Sequence, residues 1–576
     1  MQLAFAPDGA RGSIIGVLRN PLRRLPLLVS IVPFAFWCFA LGKYGVDIPQ
    51  QDQWDTPYDA IVGYFDDNLS IRPYVKQHNE ARKVVPTTMS VLLSAAGGSW
   101  NLQRELFIGF AVCVLIFAFL WRLLRRTFGQ SLYADILLLS FSLSLWSPLT
   151  IPFHLFSITF ERLLPEACVL AAALLLLSRI GILPLALGFA GLAVIAQYSF
   201  PGGLVVWLLL LILLVGRSGE DGRSRFIASS CYVALGFVSV AAYFWTYRSP
   251  SGPSSLTALF EQSLLDCLGF VLVFLGKPWA TDFVPSGVVG SVALGAFAYG
   301  AVRHLCRGGR RTPEISLIWI VIGMYSVSQG LLAMMGRLPM SISHALRVDY
   351  ISHGLYLPVA AFVLLWMPVR EMSESNDLRN RALVARIFER VLGHRSTGAA
   401  RSVACCGLVF LNAALAWASI GAAPTSTLRV ISARLQRIKA CAQLVGLYRD
   451  DECLKRLYAS PERIVPRLHE LDRLSAIQPG LVTEITPDTA VRCEGAVKAA
   501  DLVEGGLDVS GWALVDGETA DAVVLAGRVA RDSSEKPLAV FRTRRPRKKL
   551  AATSGRRFKY SGWRGTATLP DATASL

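Results

Sequence analysis

Runs of about 17–22 mostly apolar residues recur between residues 25 and 421, and no other feature restricts the fold of this chain as tightly. In hydrocarbon every backbone polar group has to be satisfied internally, which a helix does within one segment. The chain has 576 residues, 53% of them hydrophobic and only 17% charged, too apolar for a water-soluble fold of that size. The expected class is a mainly α, polytopic membrane protein with about eleven transmembrane helices. They fall near residues 25–41, 105–121, 132–147, 164–179, 182–199, 202–216, 226–246, 287–304, 315–334, 352–368 and 402–421.

The net charge of +17 invites a nucleic-acid reading, but its distribution excludes nucleic acid as the main partner. Arginines gather in short loops: "RLLRR" (122–126), Arg179, "RSGEDGRSR" (217–225), "RHLCRGGRR" (303–311) and the stretch 370–401. These loops alternate with loops poorer in Arg and Lys, as the positive-inside bias requires. Arg11, Arg19, Arg23 and Arg24 precede the first span, and no small-residue cleavage site follows it, so it reads as a retained anchor with a cytoplasmic N-terminus. An odd span count puts the C-terminus outside. The expected location is the bacterial inner (plasma) membrane, with a periplasmic C-terminal domain. "SLLDCLGFVLVFLGKPWATDF" (263–283) would invert every later loop if it crossed, so it is expected to be re-entrant or interfacial.

Composition divides the chain into a transmembrane domain (1–421) with a long first outer loop (43–104), a helical linker (422–480) and a small β-sandwich (481–576). Alternating runs such as "GLDVSGWALV" and "DAVVLAGRVA" point to strands, and "SGW" occurs at both 510–512 and 561–563. Trp512 and Trp563 are expected in the sandwich core. The basic run "RTRRPRKK" (542–549) suits a solvated hairpin tip or an anionic surface. Cys441 and Cys453 flank "GLYRDDE" and form a disulfide candidate in an oxidising compartment.

The first outer loop is too long to be a mere connection. It carries Asp52, Asp55, Asp59, Asp66, Asp67 and Glu80. Residues 74–86, "YVKQHNEARKVVP", read as a short helix with His78 and Arg82 on one face at i,i+4. A second helix is expected in "PTTMSVLLSAAGG". Asp52 and Asp55 lie about ten residues beyond the first span, where a carboxylate could take a proton from an acceptor hydroxyl or hold a divalent cation. No cofactor is implied beyond that possible cation, and no metal is identified.

An acidic first outer loop on a many-spanned chain with an outer C-terminal domain resembles the GT-C superfamily of membrane glycosyltransferases. More narrowly, the chain is similar to a group of bacterial multi-spanning proteins. The likeness is carried by "DQWD" (52–55), "QHNEAR" (77–82), "SFPGGLVVW" (199–207), "FLGKP" (274–278), "ALRVDY" (345–350), "DDECLKRLY" (450–458) and "SGWA" (510–513). It departs from that group at Ala81, where a second His is usual, and at Asp349, where the group usually has an Arg directly before the Tyr; here Arg347 sits two residues earlier. The resemblance implies a polyprenyl-phosphate-linked sugar as donor, an envelope glycan or lipid as acceptor, membrane lipids as surroundings, and an acid of the first outer loop as catalytic residue. Asp52 is the candidate base, with Asp55 and Glu80 to hold a cation, orient the acceptor or substitute as base.

A lipid-phosphate donor needs cations near the outer face, and the substrate-binding candidates are His78, Arg82, His154, Arg162, Lys277, Arg337 and Arg347. Each has a plainer use in snorkelling to headgroups or pairing with a neighbour such as Glu161 or Asp349. Two other classes compete: a lipid-linked-sugar transporter or flippase, and a non-catalytic envelope-assembly scaffold. Transport would place ionisable residues within spans. The expected spans read as nearly free of them, with Asp135 close to an inner end, which favours chemistry at the surface.

Overall fold

The computed structural model describes residues 21–248, 261–307, 314–374, 424–446, 449, 451–478, 480–482, 493–503, 506–515, 518–519, 522–528, 535–542 and 562–567. The expected eleventh span (402–421), most of the Arg-rich stretch 370–401 and nearly all of the basic run 542–549 lie outside them. The chain forms two compact units. One holds residues 1–43, 74–88 and 104–427; the other holds 44–73, 89–103 and 428–576. The first outer loop is therefore divided between units, unlike the division by chain order that composition suggests.

In the first unit, six helices among the described residues are long and apolar enough to cross a membrane: Leu25–Tyr44, Leu102–Phe128, Gly222–Phe244, Phe283–Cys306, Glu314–Arg337 and Val348–Met367. The other expected spans in the described residues are shorter helices. Leu132–Leu145, Phe160–Leu176, Ile182–Gln197 and Leu204–Val215 have 14, 17, 16 and 12 residues. At 1.5 Å per residue the shortest rises about 18 Å, well under a bilayer core of about 30 Å. Leu264–Gly276, within the segment expected to be re-entrant, is a helix of 13 residues. It packs closely on Phe283–Arg307, because a Cβ on Gly276 would sit 1.8 Å from the Ser286 carbonyl oxygen and one on Gly290 would sit 1.8 Å from that of Leu272. Backbone touches backbone there, which only glycine permits.

The stretch 74–86 is not the expected single helix. A short turn of helix, Arg72–Val75, gives way to a hairpin of β1 (Gln77–His78) and β2 (Ala81–Arg82), and a new helix, Val84–Gly97, begins before Pro86. Gln77 pairs with Arg82 and His78 with Ala81, leaving Asn79 and Glu80 as the two-residue tip. Asn79 has φ +49°, a left-handed conformation that Asn tolerates better than most residues. His78 and Arg82 thus do not share a helical face.

In the second unit, helices Pro424–Gln443, Asp451–Leu457 and Pro461–Arg473 include the expected helical linker, and a disulfide joins Cys441 to Cys453. The C-terminal strands β3 (Cys493–Val503), β4 (Gly506–Val515) and β5 (Glu518–Thr519) form an antiparallel sheet with β8 (Gly562–Ala567) beside β4; β6 (Ala522–Arg528) and β7 (Glu535–Arg542) form a separate antiparallel pair. Val509, Phe541 and Trp563 make the small core between them. The two "SGW" tripeptides lie opposite each other, Gly511 facing Trp563 and Trp512 facing Gly562. A Cβ on Gly511 would come within 2.4 Å of the Trp563 ring, so the glycine is what lets the indole lie flat on the neighbouring strand. Trp563 is core as expected, whereas Trp512 is only half-buried.

Candidate functional site

The hairpin tip is fixed from below. Tyr243 Oη donates to the Glu80 carbonyl at 2.9 Å, and Gln77 exchanges hydrogen bonds with the Arg248 backbone at 2.7 and 2.9 Å. Arg82 is buried and donates to the carbonyls of Tyr243 (2.6 Å), Val75 (2.6 Å) and Trp245. These include carbonyls at the C-terminal end of the Gly222–Phe244 helix, so Arg82 caps a helix. His78 lies beside Asn79, with Nε2 at 3.1 Å from the Asn79 amide.

Glu80 is presented to Arg337, which ends the Glu314–Arg337 helix. Arg337 Nη2 donates to Glu80 Oε1 at 2.7 Å and its Nε donates to Tyr350 Oη at 3.1 Å. The two charged side chains remain 26% and 38% exposed, open enough for an incoming anion to compete. Next to Tyr350, Asp349 holds two arginines. Arg347 places two nitrogens on Asp349 Oδ2 at 2.6 and 3.0 Å, and Arg162 donates to the Asp349 carbonyl at 3.0 Å with its Oδ1 at 3.5 Å. The Arg162 guanidinium also lies 5.8 Å from the Phe200 ring and 6.0 Å from the Tyr350 ring. One continuous group therefore joins Glu80, Arg337, Tyr350, Arg162, Asp349 and Arg347. Asp349 organises two cations here.

Other candidates have structural work. His154 is buried, with Nε2 2.8 Å from the Leu145 carbonyl and its ring 4.2 Å from Trp146 and 5.0 Å from Trp37. Lys277 is buried in the turn after Leu264–Gly276 and interacts with the charge of Asp282. Lys83 and Glu161, both buried, pair at 2.9 Å. The loop glycine of "SFPGG" accepts at its carbonyl from Gln329, Gly202 O being 2.9 Å from Nε2.

Asp52 and Asp55 belong to the second unit. Asp55 accepts from Tyr458 Oη at 3.0 Å to each oxygen and from Arg467 at 3.2 Å. Arg467 also donates to the Trp54 carbonyl and lies 4.8 Å from the Tyr58 ring, while Tyr58 donates to Glu470. Burial first, then the hydrogen bond to Glu470, pushes the Tyr58 phenol well above its ordinary value; burial and Asp55 raise Tyr458. Asp55 and the Trp54 carbonyl thus tie this turn to the linker helices. The Asp52 carbonyl accepts from the amides of Asp55 and Thr56 at 3.0 and 2.9 Å, closing a tight turn. Asp47 accepts from the Leu102 amide at 2.7 Å with Lys439 at 3.9 Å. Among the described residues, no three His, Cys, Asp or Glu side chains converge as a metal site.

The sequence reading passed over one pair. Glu166 and His353 lie in the helices that match the expected spans 164–179 and 352–368, fully buried, with His353 Nδ1 2.7 Å from Glu166 Oε1. Tyr356 Oη donates to Glu166 Oε2 at 2.7 Å. The spans are therefore not nearly free of ionisable residues. A Glu and a His inside long apolar runs were the available signal, and neither is conspicuous until the fold brings them together. No family model, no curated protein and no solved structure matches this chain.

Proposed function

We propose that the chain is an integral-membrane glycosyltransferase that moves a sugar from a polyprenyl-phosphate carrier to an envelope acceptor on the outer face. In this reading the chain crosses a bacterial inner membrane about eleven times, with its N-terminus inside and its C-terminal part outside. The observation that carries the reading is the half-exposed Glu80–Arg337–Tyr350 group beside Arg347. A carrier phosphate entering this group exchanges with Glu80 for Arg337, whose planar fork grips two phosphate oxygens. Glu80, released from its cation, is then free to accept a hydrogen bond from the acceptor hydroxyl. The acceptor hydroxyl passes its proton to a basic side chain as its oxygen bonds to the anomeric carbon, the sugar–phosphate bond breaks, and the phosphate leaves as an anion held by Arg337 and Arg347. Position and charge supply the catalysis.

Envelope glycans compared between deletion, wild-type, Glu80→Gln and Arg337→Ala strains, at matched membrane levels of protein, test the reading. Loss of the same glycan in deletion, E80Q and R337A strains is expected; unchanged glycans throughout would exclude glycosyl transfer. The buried Glu166–His353 pair is the one observation that favours transport of a lipid-linked sugar, which would show as product restored by supplying acceptor on the inner face.

A further inference from the structure

The pair formed by Glu166 and His353 lies directly beneath the Arg162–Tyr350 part of the group. Arg162 and Glu166 are one turn apart on the Phe160–Leu176 helix, and Tyr350 precedes His353 by three residues. Two rings touch both levels. Phe200 lies 5.8 Å from the Arg162 guanidinium and 5.7 Å from the His353 ring, and Phe274 lies 5.6 Å from Tyr350 and 6.4 Å from His353, stacked on it. Phe200 is only half-buried and forms the part of this wall nearest the surface.

Two features separate this pair from a packed structural contact. Glu166 is anchored on its far side by Tyr356, which leaves Oε1 for the imidazole. The contact is close but out of line for a straight hydrogen bond, so His353 Nδ1 and Glu166 Oε1 meet as neighbours at 2.7 Å. In addition, His353 Nε2, Tyr325 Oη and Ser352 Oγ are buried with no hydrogen-bond partner among the described residues, although the Tyr325 ring is 6.3 Å from the His353 ring. A buried polar atom without a protein partner calls for a water, an ion or a ligand group to satisfy it. A carboxylate on Nδ1 fixes the neutral tautomer that offers Nε2 as a lone pair, the arrangement by which a histidine accepts a proton from a hydroxyl.

We propose that Glu166 and His353 form a carboxylate–histidine dyad whose Nε2 receives the proton of a sugar hydroxyl that enters past Phe200. This deepens the glycosyl-transfer reading and rests on it: His353 is the catalytic proton acceptor, Glu166 its positioning residue, and Glu80 the residue that orients the acceptor at Arg337. The acceptor O–H proton moves to Nε2 as the new oxygen–carbon bond forms and the sugar–phosphate bond breaks.

The test uses the full chain in its membrane and reads the envelope glycan at matched protein levels in His353→Asn, His353→Gln, Glu166→Gln and Glu166→Asp strains. H353N keeps a donor toward Glu166 but removes Nε2, and H353Q keeps a polar group near the Nε2 position. Product is expected to fall by about 100-fold or more in H353N and H353Q. In E166Q it falls by about 10-fold or more with partial recovery in E166D, a graded pattern that a packing role would not give. Wild-type product in H353N overturns the dyad. So does loss that tracks reduced thermal stability of the solubilised variants. If E80Q and R337A also keep wild-type glycan, the transfer reading itself has failed; if they lose it while H353N does not, only the dyad has.

Discussion

Arg82 shows how a motif residue can be chemically committed without touching a ligand. Its guanidinium serves three backbone carbonyls, and truncation leaves them buried without a donor. Arg82→Ala is expected to cost about 3 kcal/mol. Arg82→Lys should recover little, since one ammonium cannot span the fork. Thermal unfolding of the solubilised protein measures both, and a melting temperature unchanged in R82A would refute the capping role. The same residue marks where reading by sequence stops. "QHNEAR" alternates charge at helical spacing, so a helix is the natural expectation, and only the left-handed Asn79 turns it into a hairpin. That change brings Glu80 to Arg337, 257 residues away in sequence, which no local pattern encodes. Arg337 and Arg347 stood out in the sequence because the loops expected outside are poor in Arg, and the structure brings Arg337 to Tyr350 and Arg347 to Asp349. The role of Asp349 was not legible, because a departure from a motif does not say what replaces the lost charge.

At the scale of elements, apolar runs fixed where helices form, yet their closeness depends on single atoms. Gly290 and Gly295 lie on the same helix, but a Cβ at 290 meets a carbonyl oxygen at 1.8 Å while one at 295 meets nothing within 4 Å. Gly290→Ala should sharply lower the yield of folded protein. Gly295→Ala should be neutral or stabilising by about 0.5–1 kcal/mol, because alanine is the better helix former. Equal effects in the two variants would mean the helices do not approach so closely. In the second unit, Asp55→Asn should weaken the Tyr458 and Arg467 contacts by about 1–3 kcal/mol and reduce protein level without lowering product per molecule. Product per molecule lost at normal stability would return Asp55 to the catalytic set. The phenol of Tyr58 adds a pH term with a definite sign. Its affinity for the proton is higher folded than unfolded, so its stabilisation is complete below the ordinary value of 10.0 and is lost as pH rises beyond it. Tyr58→Phe should therefore flatten the alkaline fall in stability, measurable as a smaller shift in unfolding temperature between about pH 9 and about pH 11.

For the molecule as a whole, the divided first loop and the disulfide carry the orientation argument. Residues 44–73 and 89–103 fold with the C-terminal part, so both must emerge on the same side of the membrane for the second unit to form at all. The Cys441–Cys453 bond closes a loop with a sequence separation of 12, and such bonds persist where thiols are not kept reduced. Positive loops such as Arg122–Arg126 lie at the other end of the Leu102–Phe128 helix from residues 89–103. Alkaline phosphatase, active only after export, fused after residue 482 or inserted at residue 70 should therefore be active. The same enzyme inserted at residue 129 should be inactive. Removing the disulfide by Cys441→Ser should cost about 2–3 kcal/mol of second-unit stability in an oxidising environment. It should cost nothing once the wild-type protein is reduced. An inactive fusion at 482 with an active one at 129 would reverse the orientation. Glu80, Arg337 and Arg347 would then face the cytoplasm, and an outer-face glycosyl transfer could not use them.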